Sequence, residues 1–204
     1  MRVVLATGNV GKQRELAALL APQGYELRLQ KDLGVAAVEE TGETFEANAL
    51  LKARHAARLT GLPALADDSG LEVDALGGRP GVRSARYAGE NASDADNVAL
   101  LLRELVGVPD ADRGARFRCV IAFVRDAADP DPVVAHGVWE GHIGHAPKGS
   151  GGFGYDPVFL PQGPWQGRSV AALSDPEKNG VSHRALALAQ LMAQLLAPPP
   201  GSGR

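Results

Sequence analysis

Four apolar residues, Val3-Val4-Leu5-Ala6, run straight into Thr7-Gly8-Asn9, and from Lys12 to Leu20 the leucines Leu16, Leu19 and Leu20 recur at helical spacing. A short strand that turns at once into a helix commits the chain to strand, loop, helix, the unit from which sheets with helices on their faces are built. The loop also carries a hydroxyl before the glycine and an ammonium after it. Free backbone N–H groups and the positive end of a helix suit phosphate oxygens, and Lys12 would add a full charge. The P-loop pattern is absent, because no second glycine stands five positions before Gly11-Lys12. A plain strand-to-helix turn accounts for Thr7-Gly8-Asn9-Val10-Gly11-Lys12 equally well.

Further along, Phe45, Ala49, Ala53 and Ala56 predict a helix over Thr44 to Arg58, which Gly61-Leu62-Pro63 stops. Ala64-Leu65-Ala66 leads into Asp67-Asp68-Ser69-Gly70, and LEVDAL then alternates as a half-buried strand, so the acidic pair is expected at a bend between strands. Ser93 with Asp96 resembles a capping box ahead of Val98, Leu101, Leu102 and Leu105. Ala115 to Val124 and Val133 to Trp139 read as an antiparallel pair split by Asp129-Pro130-Asp131-Pro132. Ala146 to Asp156 is nearly all turn chemistry, and Ser182 opens a last helix through Leu196. With no internal repeat and no composition break, residues 1–197 are expected as one α/β domain and residues 198–204 as a frayed tail.

A chain of 204 residues can bury about 70% of its unfolded surface, so no staples are needed. Cys119, the single cysteine, sits in the apolar run ARFRCVIAFV and reads as a small buried hydrophobe. It leaves no disulfide within the chain, which agrees with a reducing compartment. No secretory signal and no run of roughly 18 apolar residues is evident, so a cytoplasmic, membrane-free protein is expected. The net charge is -3 with Lys and Arg scattered, which argues against a nucleic acid polymer as ligand but leaves room for one small polyphosphate.

Three further stretches can carry chemistry. Asp67 and Asp68 can close Asx turns, yet Mg²⁺ accepts one or two carboxylates and leaves room for phosphate, and a second acidic pair stands at Glu39-Glu40. Gly151-Gly152-Phe153-Gly154-Tyr155-Asp156 flanks an aromatic with glycines, which suits either a flat ligand or a turn with a core Phe. Ser174 with Glu177, and Ser182, explain themselves as helix caps, whereas Lys178, His183 and Arg184 do not. Cations in the first turn of a helix oppose its dipole, which points to an anionic or carbonyl-bearing partner.

Taken in order, LATGNVGK, FEANALLKARHAA, ADDSGLEVDALGGRPGVRSARYAGE, GGFGYDPVF and EKNGVSHRALAL resemble the inosine triphosphatase family, also called Ham1-like, over nearly the whole chain. The resemblance implies an elongated mixed central sheet flanked by helices, with two lobes and a nucleotide cleft between them, in a homodimer. It implies Mg²⁺-dependent hydrolysis of ITP, dITP or XTP between the α and β phosphates. Carried to this chain, Thr7, Gly8, Asn9, Val10, Gly11 and Lys12 become the triphosphate loop, Asp68 the general base, and Ser69 a neighbour of the substrate. Asp68 with Glu39 or Glu40 would hold the metal, Glu39 being favoured. Phe153 would stack on the base, Gly154, Tyr155 and Asp156 would line its pocket, and Lys178, His183 and Arg184 would close over base and phosphates. A donor from His183 or Arg184 would pair with the C6 carbonyl of hypoxanthine or xanthine and reject adenine; guanine shares that carbonyl, so its exclusion needs a separate device around C2. Asp175-Pro176 and Lys148 depart from the usual pattern. Two rivals are a Maf-like pyrophosphatase for modified or pyrimidine nucleotides and a nucleotide-sensing module that does not cleave; the SHR and FGYDP segments favour the inosine triphosphatase type.

Overall fold

The computed structural model describes residues 1–165 and 167–197. Its strands are β1 (Arg2–Leu5), β2 (Glu26–Leu29), β3 (Ala64–Val73), β4 (Gly114–Val124), β5 (Val133–Ile143) and β6 (Phe159–Pro161). Its α-helices are α1 (Val10–Leu20), α2 (Phe45–Thr60), α3 (Asp94–Glu104), α4 (Asp175–Val181) and α5 (His183–Leu196). The expected mixed sheet is present, in the order β2-β1-β3-β4-β5-β6. β1 runs parallel to both neighbours, and β3, β4, β5 and β6 alternate in direction. The tail 198–204 lies outside the described residues.

The chain leaves β1 toward β2 through α1 and returns toward β3 through α2, so connections diverge at the C-terminal end of β1. Such a switch point leaves a crevice for a ligand. One face of the sheet buries Val3, Leu5, Leu65 and Ile121 with Leu16, Leu20 and Leu191 of α1 and α5. The other buries Val4, Ala6, Ala64 and Ala66 with Ala49, Ala53 and Ala56 of α2. A third core, with Leu71, Leu101, Phe117, Trp139 and Phe159, fills the far end of the long hairpin. The cleft opens between this end and the first two cores.

Three local expectations change. Asp67-Asp68 is not at a bend: β3 is one ten-residue strand, paired with β4 at every step from Ala64↔Val124 to Val73↔Ala115. A continuous neighbouring ladder overrides the turn preference of Asp-Asp-Ser-Gly. The first helix starts at Val10, because the Asn9 side chain accepts the Lys12 N–H at 3.0 Å and caps it. Finally, Asp175-Pro176, a departure from the usual pattern where a more helical segment is common, itself starts α4, with Pro in the first turn behind the Ser174–Glu177 capping box. β2 and β6 carry no alternation long enough to announce them.

Candidate active site

β3 outruns β1. The parallel pairing ends at Leu5↔Leu65, so Asp67 and Asp68 emerge beside the Thr7-Gly8-Asn9 loop, just past the end of β1. Period-two alternation then sends the two carboxylates to opposite faces, Asp67 with Leu65 and Asp68 with Ala66.

Asp67 is fully buried. Its Oδ2 meets Lys12 Nζ at 3.1 Å and Arg184 Nη2 at 3.4 Å, and Ser69 Oγ donates to it at 3.3 Å. Burial pushes its carboxyl up, but the charges of Lys12, Arg184 and Lys52 overcome this and hold it well below the usual carboxylate range. The ammonium that looked surplus in the first loop thus has a buried counter-charge. The surplus hydroxyl has a partner too, since Thr7 Oγ1 accepts the Asn9 N–H at 3.3 Å.

Asp68 faces α2. Asn48 Nδ2 donates to its Oδ2 at 3.2 Å, and Lys52 Nζ lies 3.1 Å from Oδ1 and 2.6 Å from Glu40 Oε1. Burial raises the Asp68 carboxyl above its ordinary value; Lys52 and Lys12 only partly offset this, and Glu40 adds to it. Glu40 goes the other way, because the Lys52, Lys12 and Arg86 charges outweigh its burial. Of the acidic doublet, Glu40 and not the favoured Glu39 joins this cluster; Glu39 is exposed, although it lines the same cleft. Two carboxylates facing one shared ammonium form an oxygen-only donor pair. No larger metal-binding group of His, Cys, Asp or Glu stands together among the described residues.

On the other wall, α5 begins at His183 because Ser182 Oγ accepts the Ala185 N–H at 3.2 Å. α5 sits directly on β5 at Gly137, where a Cβ would lie 1.9 Å from the His183 carbonyl oxygen. Arg184 is buried against Glu15 and Asp67, and its Nη2 donates to Ser69 Oγ at 3.0 Å. Those two carboxylates offset the cost of a cation at a helix start. Lys178 is not over the cleft: it is buried between Glu15 Oε1 at 2.7 Å and Asp156 Oδ2 at 2.5 Å. Lys12, Asp67, Arg184, Glu15, Lys178 and Asp156 therefore form one alternating chain of charges beneath the site. His183 stacks on Phe117 at 4.8 Å between ring centroids. Its burial, then the Arg184 and Lys178 charges, hold it well below the ordinary imidazole value, so it is neutral. Two buried ring and guanidinium nitrogens, His183 Nδ1 and Arg184 Nε, have no partner among the described residues.

Phe153 packs on the first loop, at Gly11, where a Cβ would stand 2.5 Å from its Cδ1. Lys178 Nζ is 4.8 Å and Arg184 Cζ 5.9 Å from its ring centroid. Asp156 Oδ2 accepts the Phe153 N–H at 3.0 Å, and Tyr155 Oη donates to the Ser84 carbonyl at 2.9 Å. The resulting cleft, about 440 Å³, is lined by Thr7, Gly8, Asn9, Lys12, Glu39, Glu40, Asp68, Ser69, Phe153, Gly154, Tyr155, Asp156, His183 and Arg184. That volume suits a small ligand. Val10 is turned out to solvent, 71% exposed. Sequence reasoning missed Lys52, Asn48, Arg86, Glu15 and Asp67's separate role. Asn48 and Lys52, one turn apart beside the alanine stripe of α2, carried a signal; Arg86, which reaches Glu40 at 3.7 Å from the opposite wall, carried none.

Known proteins resemble this chain in sequence and fold over nearly its whole length. Residues 3–194 match the Ham1 family. A dITP/XTP pyrophosphatase of Shigella flexneri is 57% identical over 194 residues, 95% of this chain and 98% of its own. One of Methylococcus capsulatus is 58% identical, with 96% of each chain covered. The structure of a HAM1 protein from Coxiella burnetii superposes with a TM-score of 0.86 at 49% identity, covering 96% of this chain and 98% of that one. The chain belongs to the Ham1 family.

Proposed function

We propose that this chain is a pyrophosphatase that hydrolyses dITP, XTP and ITP to the monophosphate and pyrophosphate, the activity for which its relatives are named in the case of dITP and XTP. One observation carries the proposal most: a buried carboxylate with a raised pKa, Asp68, shares a cleft with the cationic Thr7–Lys12 loop and with an aromatic ring, Phe153, that has Arg184 and Lys178 beside it. A polyphosphate would lie along the loop, against its N–H groups and Lys12. Water attacks the α-phosphorus, Asp68 takes its proton, and the bond to the bridging oxygen breaks to release pyrophosphate. Lys12 and Lys52 stabilise the charge that develops on the departing group.

Magnesium fits the donor set. Glu40 and Asp68 offer hard oxygen ligands already aimed at one cation, and Mg²⁺ takes one or two carboxylates while leaving places for water and phosphate. When bound it would neutralise charge on the phosphate oxygens.

Base choice follows from a lining residue that carries donors alone. Arg184 can only donate, so the C6 carbonyl of hypoxanthine or xanthine can pair with it, whereas the amino group of adenine cannot. A site built for such a hydrogen bond rejects the wrong partner by on the order of 10⁴-fold. A homodimer in the cytoplasm belongs to the same proposal. The test is pyrophosphate release from a panel of nucleoside triphosphates with and without Mg²⁺. Release from dITP, XTP and ITP far above ATP, and only with the metal, is expected; equal turnover of ATP would refute the base assignment, and no turnover the whole.

A further inference from the structure

We infer that Asp94 is a positioning residue that clasps the aromatic platform for the base, a role that rests on the nucleotide site proposed above. Asp94 is the first residue of α3, exposed on the rim of the cleft, and its Oδ2 accepts the Gly154 N–H at 2.6 Å from sixty residues away. Neither partner needs the contact for its own local structure. α3 is already capped by the reciprocal Ser93–Asp96 box, whose Ser93 Oγ and Asp96 Oδ2 take up the end of the helix. The loop around Phe153 is already held from within by Asp156 and from below by Tyr155 on Ser84.

What Asp94 adds is control of the residue that follows the ring. Gly154 has φ +61°, the left-handed region, so the chain beside Phe153 bends at its most deformable kind of residue. A carboxylate from a different element, bonded to that one amide, fixes the bend and with it the ring between Gly11 and the two cations. The clasp acts first on the base half of the cleft. Lys12 and the Thr7–Asn9 loop are held by β1, α1 and Asp67, and touch the clasped segment only where the Phe153 ring packs on Gly11.

The base half and the phosphate half therefore separate by experiment. Wild type, Asp94→Ala and Asp94→Asn are compared by calorimetric binding of IMP and of inorganic tripolyphosphate, and by hydrogen exchange at the Gly154 amide. In Asp94→Ala the Gly154 amide should exchange about tenfold faster and IMP should bind about tenfold more weakly, the size of one charge-assisted hydrogen bond, with tripolyphosphate within about twofold of wild type. Asp94→Asn keeps an acceptor oxygen and should recover most of the loss. Unchanged exchange at Gly154, equal weakening of both ligands, or an Asn variant as poor as Ala would each overturn the clasp. Failure of the wild type to release pyrophosphate from any purine triphosphate would remove the proposed function instead, and the exchange arm still decides whether Asp94 holds the loop.

Discussion

Replacing Asp67 by Asn should cost stability that Asp68→Asn does not, although the two residues are adjacent and alike. Asp67 is completely buried and is the counter-charge for Lys12 at 3.1 Å and Arg184 at 3.4 Å. Its neutralisation leaves the buried chain with Lys12, Arg184 and Lys178 against Glu15 and Asp156. Removing one partner of a buried pair costs about 3 to 5 kcal/mol. Lys12 keeps 13% of its side-chain exposure and can draw on solvent, so the lower end, about 3 kcal/mol, is appropriate. For a chain of this size each kcal/mol moves Tm by about 2 to 4 °C, so a fall of about 10 °C is expected. The pH dependence is equally specific. Because the folded carboxyl is held below its ordinary value, its contribution is fully present above the unfolded pKa and is lost as pH falls below it. The gap between wild type and variant should thus stay flat from about pH 8 to about pH 5 and close only below about pH 4. Thermal scans across that range measure it. A gap under about 2 °C at neutral pH, where about 10 °C is expected, or one that shrinks between pH 7 and 5, would show that Asp67 is not the charge that holds this network.

Asp68→Asn should still bind nucleotide but lose pyrophosphate release by about 10³-fold or more, within the range of a lost general base; unchanged turnover removes Asp68 from its role. Arg184→Ala should narrow the preference for ITP over ATP, measured as the ratio of kcat/KM values, and an unaltered ratio refutes the contact with the C6 carbonyl. His183 is neutral when folded but protonates below about pH 6.5 when unfolded, so the unfolded chain binds the extra proton and stability falls with acid, by up to about 1.4 kcal/mol per pH unit. Denaturant titrations of wild type and His183→Gln across that range should show a shallower slope in the variant, and equal slopes would refute the assignment.

The parts legible in the sequence are those where one residue pattern decides one element. The alanine stripe of α2, the Ser93 and Ser182 caps and the long apolar runs of β4 and β5 depend on neighbours within a few residues. β2 and β6, four and three residues long, exist because an adjacent strand offers free backbone groups, and nothing local announces them. The site divides in the same way. Thr7 to Lys12, Phe153 to Asp156 and His183-Arg184 lie in short motifs and line the cleft, apart from Val10 and Gly11. Glu15, Arg86 and Asp94 act by meeting residues from other elements, and their sequence neighbourhoods look like ordinary solvated helix or turn. Lys178 shows the converse: its motif suggested a ligand contact, and the fold turned it inward to Glu15 and Asp156.

The acidic pair shows why the distinction matters for chemistry. A bend would have let Asp67 and Asp68 share one environment, and two adjacent carboxylates facing one cation site would compete for it. A straight strand separates them by its period of two, so each side of the sheet sets its own residue's proton affinity. On the α1 and α5 face, cations lower Asp67 and fix it as an anion; on the α2 face, burial raises Asp68 toward the range where a carboxylate can accept a proton from water. Pairs of titratable groups driven apart in this way mark the division between a structural charge and a reacting one. The division here is made by backbone register: the pairing of Asp67 with Ile121 and of Asp68 with Val120 decides which carboxylate is held as an anion and which faces α2 as the proposed base. A one-residue slip of β3 against β4 would exchange the two roles.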